Sequence, residues 1–313
     1  HRFLYGHKAQ PCVKIVDEKS GKLLVDGIPV TVLREQRNPL NIPWRQYGVD
    51  VVVDCSGSFK DPTVPADDKK GSIRGHLNGG AKVVIHSAPF TIQNKSLETT
   101  EDTTTLIYGI NHTAFNPKKH LLVSAASCTT TGLAHMVKPL LENEETSVIL
   151  TASMSTIHAV TNSQTVLDKL PKAGEKDIRK TRSILNNIIL TSTGAAKALA
   201  EVIPEVKNIG FTGDSIRVPT NTLSLIVLNA TFQARQEKGG EAASIDTKKL
   251  NAIYEKAAQD NPLVRFTMQQ NVSTDLIGED AAVVIEGQFN HTRTAFIPVD
   301  LSQIPSLPPA LLD

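Results

Sequence analysis

A cysteine stands where an apolar run meets a possible helix, in the stretch SAASCTTTGLAHM at residues 124–136. The first turn of a helix leaves backbone N–H groups free, and the positive end of its dipole favours a thiolate over a thiol. Cys128 is therefore a candidate nucleophile. The threonines that follow it can cap the helix and still offer hydroxyl groups to an anion.

A thiolate nucleophile usually needs a basic partner. The segment STIHAVTNSQ at residues 155–164 provides His158 in a strand-like stretch rich in hydroxyl side chains. A structural, hydrogen-bonded histidine is the alternative interpretation. The pairing of a cysteine at a helix start with a downstream histidine supports a catalytic pair as well as it supports the structural interpretation.

Two further segments suggest phosphate binding. TSTGAA at residues 191–196 puts Thr193 and Gly194 at a helix start, where backbone N–H groups hold anions, although a simple N-cap has the same pattern. Arg217 begins the strand-like RVPT, and its guanidinium suits either a phosphate or an ion pair.

The other two cysteines have no such setting. Cys55 lies inside an apolar run, and we expect both Cys55 and Cys12 to be buried as small hydrophobic side chains. Three widely spaced cysteines do not suit a disulfide framework or a zinc site with paired ligands, so no metal is expected.

The composition predicts a protein with no bulk attraction to nucleic acid or membrane. The 313 residues are 40% hydrophobic, with 33 basic against 32 acidic side chains. No apolar stretch approaches the roughly 20 residues that span a bilayer, and the N-terminal HRFLYGHKAQ does not resemble a secretory signal. A cytoplasmic protein of two domains is expected.

The elements before Cys128 predict an open parallel α/β sheet. VDVVVDCSG (49–57) and AKVVIHSAP (81–89) are continuous apolar runs, as expected of strands buried on both faces, and short helical segments separate such runs. KLLVDGIPVTVL (22–33) predicts a hairpin that turns at Asp26 and Gly27, with Pro29 on an edge strand.

The elements after Cys128 predict an α+β unit with a mainly antiparallel sheet. TSVILTASMSTIHAV (146–160) and RVPTNTLSLIVLNATF (217–232) are strand-like, and SIDTKKLNAIYEKAAQD (244–260) has the period of a helix capped by Asp246. The polar region from about 164 to 190 is too long for an ordinary connection, which suggests a functional loop.

Five segments in order, SAASCTT, STIHAVTNSQ, TSTGAAKALAEVIPE, SIRVPT and NVSTDLIG, resemble phosphorylating glyceraldehyde-3-phosphate dehydrogenase. LVDGIPVTVL, CSGSF, GAKVVIHSAP and YGIN resemble the nucleotide domain of that family. The resemblance implies a Rossmann-type nucleotide-binding domain at 1–127, a catalytic domain at 128–289 and a C-terminal segment at 290–313 that returns to the first domain. The nucleotide-binding domain is expected to be incomplete, because the chain aligns from after the family's first β-α-β unit and lacks its glycine-rich turn.

The resemblance implies a covalent mechanism. Cys128 attacks the aldehyde of glyceraldehyde 3-phosphate, and His158 takes the hydroxyl proton as hydride passes to NAD or NADP. Inorganic phosphate then cleaves the thioester to give 1,3-bisphosphoglycerate. The implied contacts are Thr161 and Arg217 with the substrate phosphate, Ser127, Thr129, Thr193 and Gly194 with the attacking phosphate, and Asn290 with the nicotinamide.

The loop around Arg179, Lys180 and Arg182 is similar to the family's interface loop and implies a homotetramer. Two positions depart from the family pattern, with Ser163 in place of an aspartate and Thr131 in place of an asparagine. Three alternatives therefore stay open: an erythrose-4-phosphate dehydrogenase, a catalytically idle structural or interaction paralogue, and a Cys-His hydrolase.

Overall fold

A computed structural model describes residues 12–234 and 244–295 of the chain. Its first sheet is a three-stranded antiparallel meander. The predicted hairpin is confirmed, because Asp26 and Gly27 have positive φ angles of 51° and 83°, as a tight primed turn requires. Pro29 lies on the edge strand β3. The strands are β1 (Val13–Asp17), β2 (Lys22–Val25) and β3 (Ile28–Thr31).

The second sheet is parallel, with strand order β4-β5-β7-β6. Its carboxyl ends meet at one edge, which is where ligands bind in open α/β sheets. The strands are β4 (Val51–Asp54), β5 (Val83–His86), β6 (Thr103–Thr105) and β7 (Leu122–Ser124), and the short helix α1 (Gly75–Asn78) precedes β5.

The prediction that β4 is buried on both faces is wrong. Val52 packs into the core with Ile73 and Leu122, but Val51 and Val53 on the other face are more than half exposed. No element among the described residues packs on that second face. Burial of Cys55 was also wrong: β4 ends at Asp54, so Cys55 begins an exposed loop at the carboxyl edge.

Cys12 is exposed as well, against expectation. It precedes β1, whose five residues are all exposed, so this small sheet offers no interior to bury a thiol. The backbone N–H of Cys12 donates to Asp26 Oδ1 at 2.7 Å and thereby joins the start of β1 to the hairpin turn.

The third sheet has the order β11-β8-β10-β9, with β8 and β10 parallel and the two outer pairs antiparallel. Its antiparallel majority agrees with the prediction. One face packs against two helices around a core that includes Leu133, Met154 and Leu199. The elements are α2 (Cys128–Glu142), α3 (Ala195–Val202), β8 (Ile149–His158), β9 (Ile189–Ser192), β10 (Gly210–Arg217) and β11 (Ser224–Phe232).

A final helix packs against a two-stranded parallel sheet beside α2, where Leu140, Ile253 and Val264 share a core. Asp246 caps this helix, as predicted, by accepting from the Lys249 N–H at 2.7 Å. No helix in 12–234 or 244–295 combines the length and the apolar character needed to cross a membrane. The elements are α4 (Thr247–Asp260), β12 (Val264–Thr267) and β13 (Val283–Glu286).

Candidate active site

A sharp bend carries the chain from β7 into α2 and sets the position of the thiol. Ser124 fixes the bend, because its Oγ donates to the Ala88 carbonyl at 3.0 Å and accepts from the Ala126 N–H at 3.1 Å. Ala126 is buried with φ 58°, a left-handed conformation that costs a non-glycine residue roughly 1–2 kcal/mol. The bend makes Cys128 the first residue of a helix that begins at the carboxyl edge of the parallel sheet.

Ser127 and Thr129 flank the thiol. Ser127 is the N-cap, with Oγ accepting from the Thr130 N–H at 3.1 Å and sharing a 2.7 Å hydrogen bond with the Thr130 hydroxyl. Thr129 is buried, and its Oγ1 lies 3.9 Å from Cys128 Sγ. The Cys128 side chain itself is exposed. A reactant can therefore reach the sulfur, and the hydrogen bonds of Ser127 hold the start of the helix in place.

His158 faces the thiol from the end of β8. Its Nε2 lies 3.5 Å from Cys128 Sγ, so the two side chains are within hydrogen-bonding reach for a sulfur atom. The position is rigid because β8 is hydrogen-bonded to β10 on one side and to β11 on the other, up to His158. Two residues that lie thirty positions apart in the sequence are thus in contact.

Arg217 ends β10 and is the register partner of His158 on β8. Its Nη1 lies 2.6 Å from His158 Nδ1 and 3.0 Å from the Ala159 carbonyl oxygen. Nε of Arg217 is buried and has no hydrogen-bond partner, and no carboxylate among the described residues pairs with this guanidinium. The site therefore holds a cation whose hydrogen-bonding capacity the protein does not use up.

The charge state of His158 follows from these neighbours. Burial lowers the pKa of His158 below its ordinary 6.5, and the positive charge of Arg217 lowers the pKa further, against an opposing hydrogen bond to Ala159 O. The imidazole is therefore neutral at neutral pH. A neutral imidazole beside a thiol has the protonation state that a general base requires.

A ring of three polar side chains follows β8. Thr161 Oγ1 donates to Gln164 Oε1, Gln164 Nε2 donates to Ser163 Oγ, and the two hydroxyl oxygens share a hydrogen bond, each contact being 3.0 Å. Ser163 takes part in this ring as a neutral hydroxyl. Sequence reasoning named Thr161 but gave no role to Gln164, and no pattern in the sequence signals the ring.

Thr193 and Gly194 start helix α3. Thr193 Oγ1 accepts from the Ala195 N–H at 3.2 Å, and Gly194 is the N-cap with open space where a side chain would be. Thr193 lies beside Gly213, earlier on the strand that ends at Arg217. The start of α3 therefore lies beside β10. The Thr193 hydroxyl bonds to Ala195 and not to the Cys128 or His158 side chain.

Asn290 is not brought into this group. Its amide donates to Asn251 Oδ1 on α4 at 2.8 Å, and Asn251 in turn donates to the Gly287 carbonyl at 3.1 Å. The nicotinamide contact expected for Asn290 stays a prediction. Residues 296–313, which hold most of the expected C-terminal return segment, lie outside the described part of the chain.

A buried pair, Asp54 and His86, lies at the carboxyl edge of the parallel sheet and was not identified from the sequence. The two side chains approach to 3.5 Å and are almost fully inaccessible. Burial raises the pKa of Asp54, but hydrogen bonds from His86 and Ser56 outweigh this effect and lower the pKa to about 2. His86 also accepts the Ala125 N–H at 2.9 Å through its backbone, so the pair lies directly behind the loop that carries Cys128.

The same edge has features of a dinucleotide site. The loops after β4, β5 and β7 meet there, and Gly57 has φ 66° with no atom near the place of a side chain. Ser56 is held by Asp54 Oδ1, which accepts its N–H at 2.8 Å. These open, polar loops fit a nucleotide that lies across the strand ends and reaches Cys128.

A thiol and a neutral imidazole beside an α/β nucleotide-binding edge are the arrangement expected of a cysteine-dependent dehydrogenase. The comparison with family models gives the same class. The C-terminal domain of glyceraldehyde 3-phosphate dehydrogenase matches residues 127–299, and the NAD-binding domain of that enzyme matches residues 5–62. The chain belongs to the glyceraldehyde-3-phosphate dehydrogenase family, whose members are NAD-dependent phosphorylating oxidoreductases.

Curated relatives belong to the same family. The chain is 40% identical over 274 residues to a glyceraldehyde-3-phosphate dehydrogenase from Lactarius deterrimus, covering 87% of this chain and 82% of the relative. It is 36% identical over 274 residues to the enzyme from Streptomyces coelicolor, covering 87% and 71%. It is 33% identical over 273 residues to the enzyme from Geobacillus stearothermophilus, again covering 87% and 71%. The resemblance found in the sequence is confirmed, and the alternative functions are not favoured.

Proposed function

We propose that this protein oxidises glyceraldehyde 3-phosphate to 1,3-bisphosphoglycerate, with Cys128 as nucleophile and His158 as base. The observation that carries the proposal is the 3.5 Å contact between Cys128 Sγ and His158 Nε2, with the sulfur on the first residue of a helix. At that distance the neutral imidazole of His158 can take the proton of the thiol.

The chemistry proceeds through two covalent states of Cys128. His158 Nε2 takes the thiol proton as the sulfur attacks the aldehyde carbon, the C–S bond forms as the carbonyl π bond breaks, and the same proton passes to the former carbonyl oxygen, which becomes a hydroxyl group. His158 Nε2 then takes the hydroxyl proton as the carbon loses a hydride, which leaves a thioester. The nicotinamide cofactor, when bound, accepts that hydride. An oxygen of inorganic phosphate attacks the thioester carbon, the C–S bond breaks, and the sulfur leaves as a thiolate.

Two anion sites are proposed around the sulfur. Thr161 and Arg217 hold the phosphate of the substrate, which the unpaired Arg217 Nε and the absence of a nearby carboxylate among the described residues support. Ser127, Thr129, Thr193 and Gly194 hold the attacking phosphate, which their places at the starts of α2 and α3 support. Gly194 leaves room for the anion to approach the backbone.

The cofactor, NAD or NADP, is proposed to lie against the loops after β4 and β5, with Asn290 near the nicotinamide. Residues 1–127, 128–289 and 290–313 are kept as the proposed division into nucleotide-binding domain, catalytic domain and return segment. We also propose a cytoplasmic location, as the family resemblance implies.

A homotetramer is proposed from surfaces that a single chain leaves uncovered. The outer face of the third sheet presents Leu190, Leu225 and Val227, and the 164–190 loop presents Leu170 at 90% exposure and Ile188 at 74%. Apolar patches of this kind mark interfaces between subunits. Light scattering after size exclusion tests the assembly, and Leu170→Asp together with Ile188→Asp should lower the measured mass, whereas Lys172→Asp should not.

The activity is tested by following absorbance of the reduced nicotinamide with glyceraldehyde 3-phosphate and NAD or NADP, with and without inorganic phosphate. Phosphate-dependent reduction of either cofactor is expected, and the comparison reveals the preferred one. Faster turnover of erythrose 4-phosphate without any need for phosphate would favour the erythrose-4-phosphate alternative. A folded protein that alkylates at Cys128 and reduces neither cofactor would favour a non-catalytic role.

A further inference from the structure

The Gln164 side chain sets the direction of the hydrogen bonds in the ring that follows β8. The Thr161 backbone N–H donates to this side chain at 3.0 Å, so the atom that it meets is the carbonyl oxygen Oε1. The amide nitrogen Nε2 is then at the other side of the carboxamide, where it donates to Ser163 Oγ at 3.0 Å. One backbone N–H, which can only donate, thereby fixes the orientation of the amide.

The two hydroxyl groups of the ring differ from the amide because their hydrogens can turn. Thr161 Oγ1 donates to Gln164 Oε1 at 3.0 Å, which leaves Ser163 Oγ to donate to Thr161 Oγ1, also at 3.0 Å. Both residues are exposed, and rotation about the C–O bond can aim either hydrogen at an anion while the oxygen stays in place. The two contacts that use backbone and amide hydrogens survive that rotation.

The chain on both sides of the ring is held by backbone hydrogen bonds. The Val160 N–H donates to the Thr220 carbonyl at 3.0 Å, and the Thr165 carbonyl accepts from the Ile184 N–H at 2.9 Å. Gln164 is partly buried, and its own N–H donates to the carbonyl of the ring threonine at 3.0 Å. The glutamine is thus a fixed support for two exposed hydroxyl groups, and none of the three ring side chains carries a charge that would repel an anion.

We propose that Gln164 is a positioning residue for the phosphate of the substrate. It holds the Thr161 and Ser163 hydroxyl oxygens 3.0 Å apart, so that both hydrogens can turn to one phosphate group. This inference rests on the proposed function, in which Thr161 and Arg217 hold that phosphate. Binding exchanges two hydrogen bonds between neutral groups for two to an anion, and hydrogen bonds to charged groups are roughly twice as strong.

The kinetic test replaces the glutamine by methionine, which is similarly long and unbranched but cannot hold Thr161 and Ser163 by these hydrogen bonds. In Gln164→Met, kcat/KM for glyceraldehyde 3-phosphate should fall on the order of tenfold, the usual cost of misplacing a hydrogen bond to a charged group. kcat/KM for unphosphorylated glyceraldehyde should not change. The matched control is Gln259→Met, at an exposed position on α4, which should change neither value. Equal falls with both aldehydes in Gln164→Met would indicate a general distortion of the loop and would overturn the inference.

A double-mutant cycle tests whether Gln164 acts through the hydroxyl groups. Thr161→Val together with Ser163→Ala removes both hydroxyls. Adding Gln164→Met to this pair should lower kcat/KM for glyceraldehyde 3-phosphate by less than about twofold, because nothing is left for the glutamine to position. A full tenfold fall in that background, on the order of the fall in Gln164→Met alone, would contradict the positioning role.

Equilibrium binding separates this inference from the proposed function, because it needs no turnover. Isothermal titration calorimetry measures binding of glycerol 3-phosphate, which has the phosphate and lacks the aldehyde, with glycerol as the negative control. The dissociation constant should be on the order of tenfold higher in Gln164→Met than in the wild type. Equal constants, or no binding by the wild type, would overturn the inference. A tenfold difference of that order, in a wild type that reduces neither cofactor, would support the inference and contradict only the proposed function.

Discussion

Two histidines lie at strand ends near the same edge of the molecule, and their partners differ in charge. His86 is fully buried against the carboxylate of Asp54, whereas His158 is partly exposed between the guanidinium of Arg217 and the thiol of Cys128. The carboxylate of Asp54 gives the buried imidazole an ionic neighbour at 3.5 Å, although both ring nitrogens of His86 are without a hydrogen-bond partner among the described residues. Burial and the cation of Arg217 both lower the pKa of His158, so this imidazole is neutral beside the thiol. The comparison indicates that the partner, more than the histidine, separates the proposed catalytic pair from the buried one.

The largest effect is expected at the thiol. Cys128→Ser should lower turnover on the order of a thousandfold or more, because a serine hydroxyl is not ionised beside a neutral imidazole. Cofactor reduction measures the loss, and thermal unfolding checks that the fold is retained. A serine variant that still turns over would contradict the assignment of the nucleophile and remove the contrast between the two pairs.

The base should be the next most sensitive position. His158→Asn should lower turnover about a hundredfold or more, the usual contribution of a general base, and should slow alkylation of the thiol by iodoacetamide. His291, which is exposed, provides the matched control His291→Asn. Equal alkylation rates in the wild type and His158→Asn would show that the 3.5 Å contact does not affect the sulfur.

Much of the fold could be predicted because its signals are local. The hairpin at Asp26 and Gly27, the helix cap at Asp246 and the helix start at Cys128 each depend on a few adjacent residues. The strand β6 is three threonines, and the apolar residues that would signal a strand, Leu106 and Ile107, come only after it ends. The exposure of Cys55 also could not be predicted, since it depends on the residue at which β4 ends.

The candidate site was predicted as a set of side chains, and what the sequence could not provide is their geometry. The contact between His158 and Arg217 requires that β8 and β10 pair in parallel with one particular register, which no local pattern specifies. The Ala159 carbonyl is a backbone group that every residue has, so nothing distinguishes it in the sequence. Asp54 and His86 each end an apolar run, and only the pairing of β4 with β5 brings them together.

A smaller effect is expected from the buried pair. Asp54→Asn should lower the free energy of unfolding by about 1–3 kcal/mol, since His86 loses its charged partner in an inaccessible place. Urea denaturation measures this change, and the alkylation rate of Cys128 should change far less. Asp50→Asn is the matched control, because Asp50 pairs with Lys82 at the exposed start of the same strand and should cost less than about 1 kcal/mol. Equal losses in the two variants would contradict a structural role for the buried pair.

The smallest effect concerns pH and His76, which lies close to Asp54. Burial lowers the pKa of His76 below 6.5, with Asp54 acting in the opposite direction, and its Nδ1 accepts from Trp44 Nε1 at 3.0 Å. The unfolded chain binds a proton at this histidine more readily than the folded chain. As far as His76 is concerned, the free energy of unfolding is therefore at its full value above pH 6.5, and it falls as the pH drops from 6.5 towards the lowered pKa.

For one histidine that stays neutral in the fold, the free energy of unfolding falls by at most about 0.7 kcal/mol between pH 7 and pH 6. His76→Gln cannot titrate, so its unfolding free energy should fall less steeply with decreasing pH than that of the wild type. In the Asp54→Asn variant, which keeps His76, the unfolding free energy should fall slightly more steeply with decreasing pH, because the carboxylate no longer favours the protonated ring. Parallel pH profiles for the wild type and His76→Gln would mean that the pKa of His76 is the same in the folded and the unfolded chain, which would contradict the lowering by burial.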